Sequence, residues 1–209
     1  MSQFHTGAYG MERPPKAEID LPAGKAGETQ SVVYAGGCFW CTEAVFRQIK
    51  GVKTVTSGYS GDTKDKANYK TVCMGTTNHA EAIRIEYDPA QLSYGQLLQI
   101  FFTAHDPTTK DRQGNDHGRQ YRSAIFYASD EEKKVAEAYI KQLDAAKIFK
   151  APVVTTLEPL KEFFPAEDYH QDYVTNNPNQ PYVRACSLPK VFKVREAFAD
   201  WLKTDDAKK

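Results

Sequence analysis

Between Ser31 and Tyr127 the apolar positions fall into alternating blocks, some with a period of two and some with the spacing of one helical face. "SVVYA" (31–35) is a short apolar strand that ends at Gly36-Gly37. "CFWCTEAVFRQI" follows with Val45, Phe46 and Ile49 at helical spacing, and Gly51 stands at the position of a helix C-cap. "VKTVTSGY" (52–59) reads as a second strand, and a polar loop leads to the strict alternation of "EAIRIEY" (81–87). Ser93 then caps a helix carrying Leu97, Leu98, Phe101 and Phe102, and "YRSAIFY" (121–127) is a further strand. The order β-α-β-β-α-β predicts a two-layer α+β core of the ferredoxin-like split βαβ kind. A helix over about 130–147, capped by Ser129 or Asp130, an extra strand "VVTTLE" and a helical extension ending at Trp201-Leu202 complete the pattern.

Outside these blocks the periodicity lapses. Residues 1–30 carry Pro14, Pro15, Pro22, Gly24 and Gly27 and read as an extended arm. Residues 31–203 form a single domain, and 204–209 read as a tail. With 209 residues the chain can bury a substantial core. Lys+Arg and Asp+Glu each number 27, so a balanced charge gives no electrostatic reason to expect nucleic acid or an anionic membrane as partner. Neither a membrane span of roughly 20 apolar residues nor a secretory leader is apparent, which makes the cytoplasm the expected compartment. Four cysteines are too few to staple a fold of this size, so in a reducing compartment they point to catalysis, metal or core packing.

The densest chemistry is "GGCFWC" (36–41). Two glycines between strand and helix permit a sharp turn and set Cys38 at the helix start, where free N–H groups and the positive dipole end favour a thiolate. Phe39 and Trp40 follow directly. In a first turn they cannot both face the core, so one is expected to wall a surface pocket suited to a small apolar group such as a methyl on sulfur. The competing readings are a buried structural cysteine, a thioredoxin-type dithiol formed by Cys38 and Cys41, a Cys–His hydrolase, and a non-enzymatic module that binds methionine-containing peptides. Zinc is disfavoured, because Cys73 and His79 are the only remote helpers and no second ligand pair has usable spacing.

In "EAIRIEY" the alternation puts Glu81 on the same face as Ile83, Ile85 and Tyr87. A carboxyl there loses hydration and its pKa rises, so it can stay protonated near neutrality and act as an acid. The competing reading is that the strand end frays and Glu81 reaches water. Two polar stretches are long enough to carry function: "TTKDRQGNDHGRQYRS" (108–123), with Asp116 and Tyr121, and "EDYHQDYVTNNPNQPY" (167–182), with Tyr169, His170, Tyr173 and Tyr182.

Taken together, "GGCFWC" (36–41), "YKTVCMGTTNHAEA" (69–82), "HDPTT" (105–109), "GNDHGRQYRSAIF" (114–126), "YHQDY" (169–173) and "NP" (177–178) resemble the A-type peptide-methionine sulfoxide reductases, which act on the S epimer. The resemblance runs from Val33 to Tyr182 with the motifs in the family's order. It implies a two-layer α/β core and reduction of methionine-S-sulfoxide in proteins and peptides, as repair of oxidative damage. It implies Cys38 as nucleophile, Glu81 as acid, and Tyr69, Asp116 and Tyr121 as groups that position the oxygen, the acid and a water. Phe39 and Trp40 would cage the substrate methyl, with His170 and Tyr173 as further pocket residues. No bound cofactor or metal is implied; the external reductant is thioredoxin or another dithiol, which reduces the disulfide that follows a Cys38 sulfenic acid.

The chain departs from the family at its second thiol. Many members carry resolving cysteines in a Gly-rich C-terminal tail, whereas here "QPYVRACSLPKVFK" holds Cys186 alone. Cys41 meets Cys38 on one helix face at i,i+3 and is the local candidate. Cys186 is the alternative if its segment folds over the site, direct reduction of Cys38 by an external thiol is the third route, and Cys73 reads as structural.

Overall fold

A computed structural model describes residues 13–204. The first twelve residues of the expected N-terminal arm and residues 205–209 of the expected tail lie outside the described residues. The elements in chain order are β1 (Gln30–Gly36), α1 (Phe39–Arg47), β2 (Val52–Ser60), α2 (Tyr69–Cys73), β3 (Ala80–Tyr87), α3 (Tyr94–Ala104), β4 (Arg112–Gln113) and β5 (Asp116–His117). They continue with β6 (Ser123–Tyr127), α4 (Asp130–Ala145), β7 (Thr156–Pro159), β8 (Phe163–Pro165), α5 (Tyr173–Asn176) and α6 (Leu188–Ala197). A five-residue π-helix, Val183–Ser187, leads into α6.

One six-stranded sheet runs β7-β6-β1-β3-β2-β8, and β4 pairs with β5 as a separate hairpin. All neighbours in the large sheet are antiparallel except β6 and β7. The fold is therefore mixed α/β. The period-two pattern explains its layering. Val32, Tyr34, Ile83, Ile85, Tyr87, Val55 and Tyr59 turn to the face on which α1, α3, α4 and α6 pack. Val33, Ala35, Ala80, Ala82, Ala124 and Phe126 turn to the other face, where Leu160 and Phe163 cover them.

Local chemistry places the helices. Ser93 caps α3 with a reciprocal Ser93–Gln96 capping box, and the Ser129 side chain accepts the Glu132 N–H at the start of α4. Helix α1 ends at Arg47, two residues short of Ile49, which instead bridges to Leu202 near the C-terminus. The left-handed Gly51 (φ +83°) turns the chain into β2 under Leu92. Residues 13–29 lie along the helical layer. Gln99 and Tyr139 donate to the carbonyls of Pro14 and Pro15 at 2.9 and 2.8 Å, and Asp20 accepts from Ser93 Oγ at 2.6 Å. Three elements lie in stretches that read as polar loop or carry no pattern: α2, capped by Asn68, the β4–β5 hairpin, and β8. Helix α2 and the hairpin are too short to show a period and are held by a cap and pairs a few residues away, while β8 pairs with the distant β2, so no periodic signal announces them.

Candidate active site

The turn from β1 into α1 sets the site. Gly37 adopts φ +88°, and a Cβ there would lie 2.5 Å from Gln113 Cγ. Gln113 also accepts the Asp106 N–H at 3.1 Å, so the glycine lets the β4–β5 hairpin, with Asp116, close over the start of α1. Replacing Gly37 with alanine is expected to lower the unfolding free energy by about 1–3 kcal/mol, read from the denaturant midpoint at constant m-value. The same change should slow turnover, because the hairpin must back away. A variant with parent stability would show that the turn is not constrained.

Cys38 is the N-cap residue of α1 and is nearly buried, at 6% exposure. Glu81, on the facing strand β3, is 2% exposed, and its Oε2 accepts the Phe39 N–H at 3.1 Å. The first free N–H of the helix is thus used by the carboxyl and not by the sulfur. Burial pushes Glu81 up to about 8, against the lowering effect of that hydrogen bond, with the charge of Asp116 adding to the rise. The strand does not fray here, and the acid keeps its proton at neutral pH.

The sulfurs depart from expectation. Burial raises the Cys38 thiol well above its ordinary value, aided by its hydrogen bond to Cys41, where the helix start alone predicts a lowered one. Cys41, fully buried, is brought down to about 6, chiefly by that same hydrogen bond from Cys38, with Lys190, Ser187 and Tyr182 contributing. The Cys41 sulfur and Ser187 Oγ share a hydrogen bond of 3.2 Å. The two sulfurs thus share one proton, with burial opposing charge on Cys38 and the hydrogen bond favouring it on Cys41.

Aromatic rings wall this pair. Phe39 is fully buried and stands 5.8 Å from Tyr59 and 5.1 Å from His170, centroid to centroid. Trp40 is half-buried; its indole N–H donates to His170 Nδ1 at 3.0 Å, and Tyr173 stacks on it at 3.8 Å and 7°. Of the two aromatics after Cys38, Trp40 is the one that reaches the surface. Tyr69 packs on His170 at 4.2 Å and on Phe39 at 6.5 Å. The hydroxyls of Tyr69 and Tyr121 both reach the Cys73 sulfur, and burial raises both phenols. Asp116 accepts a 2.5 Å hydrogen bond from the Tyr182 hydroxyl, which also reaches the Cys38 sulfur.

Residues 30–202 match the family model described as peptide methionine sulfoxide reductase. The chain belongs to that family. A Synechocystis peptide methionine sulfoxide reductase, MsrA 2, is 52% identical over 190 residues, covering 90% of this chain and 89% of that protein. The Deinococcus radiodurans MsrA is 49% identical, covering 83% and 84% respectively. Among solved structures, reduced Mxr1 from Saccharomyces cerevisiae aligns with TM-score 0.65 and 34% identity over 74% of this chain and 89% of its own. The methionine sulfoxide reductase A of Corynebacterium diphtheriae gives 0.62 and 33%, over 79% and 82%.

In this reductase Cys38, Glu81, Tyr69, Asp116, Tyr121, His170 and Tyr173 lie together around the start of α1. Cys186 is half-buried on the π-helix, and its thiol is raised by burial and then by the charge of Cys41. Its segment does fold over α1. Cys73 sits against Tyr69 and Tyr121 and senses the Glu81 charge, so it borders the site. The sequence marks Tyr182 only as one of a set of residues hinting at a lined cavity and does not mark Glu167. Glu167 accepts from the Tyr59 hydroxyl and the Tyr69 N–H, both at 2.9 Å, and the only local signal for either was membership of a polar, tyrosine-rich stretch. His79 is buried with Nε2 3.0 Å from the Thr63 carbonyl, and among the described residues no His/Cys/Asp/Glu group is arranged to hold a metal. No helix among them is long and apolar enough to cross a membrane.

Proposed function

We propose that the chain reduces the S epimer of methionine sulfoxide in proteins and peptides, with Cys38 as nucleophile and Glu81 as acid, and that thioredoxin or another dithiol recycles it. Thiol-dependent reduction of methionine sulfoxide is the activity of its family, and the chain is an oxidoreductase of that kind. The observation that carries the assignment is the buried Glu81 carboxyl, raised to about 8 and tied through the Phe39 N–H to the residue beside Cys38. We infer a catalytic unit over 31–203 with a ferredoxin-like split βαβ core; the strand order β6-β1-β3-β2, antiparallel throughout, supports it.

The chemistry follows from the buried acid and the hydrogen-bonded pair of sulfurs. A sulfoxide sulfur is a poor electrophile until its oxygen is protonated or strongly hydrogen-bonded. Glu81 gives the oxygen a proton, and Tyr69 and Tyr121 hold it. The Cys41 thiolate takes the Cys38 proton as the Cys38 sulfur attacks. A Cys38–substrate S–S bond forms as the S–O bond breaks and the protonated oxygen leaves as water. A water then attacks the Cys38 sulfur and expels the thioether, so the sulfoxide is reduced while Cys38 is oxidised to a sulfenic acid. The stacked Trp40–Tyr173 pair and Phe39 receive the methyl group.

Cys41 is the favoured resolving thiol, because its sulfur is already hydrogen-bonded to Cys38 whereas Cys186 lies beyond it. Cys41 displaces the sulfenic oxygen as water and leaves a Cys38–Cys41 disulfide. After one turnover without reductant, peptide mapping should find that disulfide, with a loss of two hydrogens. A Cys38–Cys186 bond would transfer the role to Cys186, and a persistent sulfenic acid would mean direct reduction from outside. Recovery of Cys38 still reduced, with methionine formed, would sink the mechanism.

A further inference from the structure

One buried acid beside the site has no part in this chemistry. Glu43 lies on α1 one turn beyond Phe39, and its side chain is 1% exposed. Its Oε1 accepts the Asp172 N–H at 2.9 Å, and the carboxyl also binds the Tyr173 N–H. Arg47 lies 3.8 Å from Glu43 and 3.2 Å from the Asp172 carboxylate, joining the two. Asp172 has φ +53°, a left-handed conformation uncommon for a residue with a side chain, and here it is held by these contacts.

What the turn carries explains why it is held. Two residues before Asp172, His170 accepts a hydrogen bond from the Trp40 indole N–H; one residue after, Tyr173 stacks flat on the same indole. Helix α1 thus supplies both Trp40 and the carboxyl that fixes its two partners. On the outer side Gln171 exchanges hydrogen bonds with the Ser57 backbone at 2.9 and 3.0 Å, so the turn is pinned at both ends.

We propose that Glu43 is a positioning residue that clasps the 170–173 turn, so that His170 and Tyr173 hold Trp40 as the rigid wall against the substrate methyl. The proposal rests on the reading of Trp40 as part of the substrate cage. Without the carboxylate the two N–H groups are left to one weaker, neutral acceptor oxygen, the left-handed turn relaxes, and Trp40 becomes free to rotate. Weaker binding, with little change in the chemical step, follows. Burial places the Glu43 carboxyl at about 7 against the pull of Arg47, from its own helix, and of the two N–H groups; the Asp172 carboxylate facing it adds to the rise. Below that pH the clasp gains a proton and loosens; above it the clasp is closed.

The test is the Glu43→Gln protein assayed with a methionine-sulfoxide peptide. Its KM should rise on the order of tenfold while kcat stays within about twofold, as expected when a charged hydrogen bond remote from the reacting atoms is lost. The parent KM should climb as the pH falls through about 7, and that climb should be absent in Glu43→Gln. Emission of Trp40, read alone in a Trp201→Phe background, should shift with the same midpoint in the parent and stay flat in Glu43→Gln. If Glu43→Gln does not fold, Glu43→Asp, one methylene too short to reach both N–H groups, should show the same KM effect in smaller degree. A parent-like KM, or a fall in kcat alone, overturns the clasp. A parent without sulfoxide turnover would instead fail the functional reading, and the fluorescence would still decide the clasp.

Discussion

Exchange of Cys38 for serine is expected to abolish sulfoxide reduction, to below a thousandth of the parent rate on the usual scale for loss of a nucleophile. A hydroxyl does not attack the sulfoxide sulfur at neutral pH, and no oxygen counterpart of the sulfenic acid would form. Cys41 cannot substitute, although its thiol is lowered, because it is fully buried and bonded to Ser187. The serine hydroxyl of the Cys38→Ser variant can still donate to Cys41, so the protein should fold. Methionine release in a single-turnover assay is the measurement. Turnover within tenfold of the parent would move the nucleophile to another sulfur and end the present assignment.

Glu81→Gln should slow the sulfoxide step by roughly 10² to 10⁴, the scale of one general acid. Glutamine keeps an oxygen for the Phe39 N–H and so preserves the turn, but it cannot give a proton to the departing oxygen. The pH profile distinguishes this from a packing defect. With a carboxyl raised to about 8, the acid is present below that pH and lost as the pH climbs through it, so the parent rate should fall on the alkaline side. The acid limb belongs to the hydrogen-bonded Cys38–Cys41 pair, in which Cys41 is brought down to about 6: below that value the pair holds both protons and the rate falls again. The parent should therefore be fastest between about 6 and 8, while Glu81→Gln retains the acid limb and loses the alkaline one. A Glu81→Gln rate within twofold of the parent would remove Glu81 from the mechanism.

The amino-acid sequence by itself determined whatever depends on near neighbours. The alternation in β3 put Glu81 on the apolar face, the double glycine marked the turn that presents Cys38, Ser93 marked one helix start, and Ser129 or Asp130, of which the structure uses Ser129, marked another, because period and capping act within a few residues. The tertiary structure decided what depends on desolvation and on partners far along the chain. It turned Cys38 upward and Cys41 downward, since burial and a shared proton outweigh a helix end. It brought Tyr182 to Asp116 and Glu43 to the turn at Asp172, contacts 66 and 129 residues apart that no local pattern encodes.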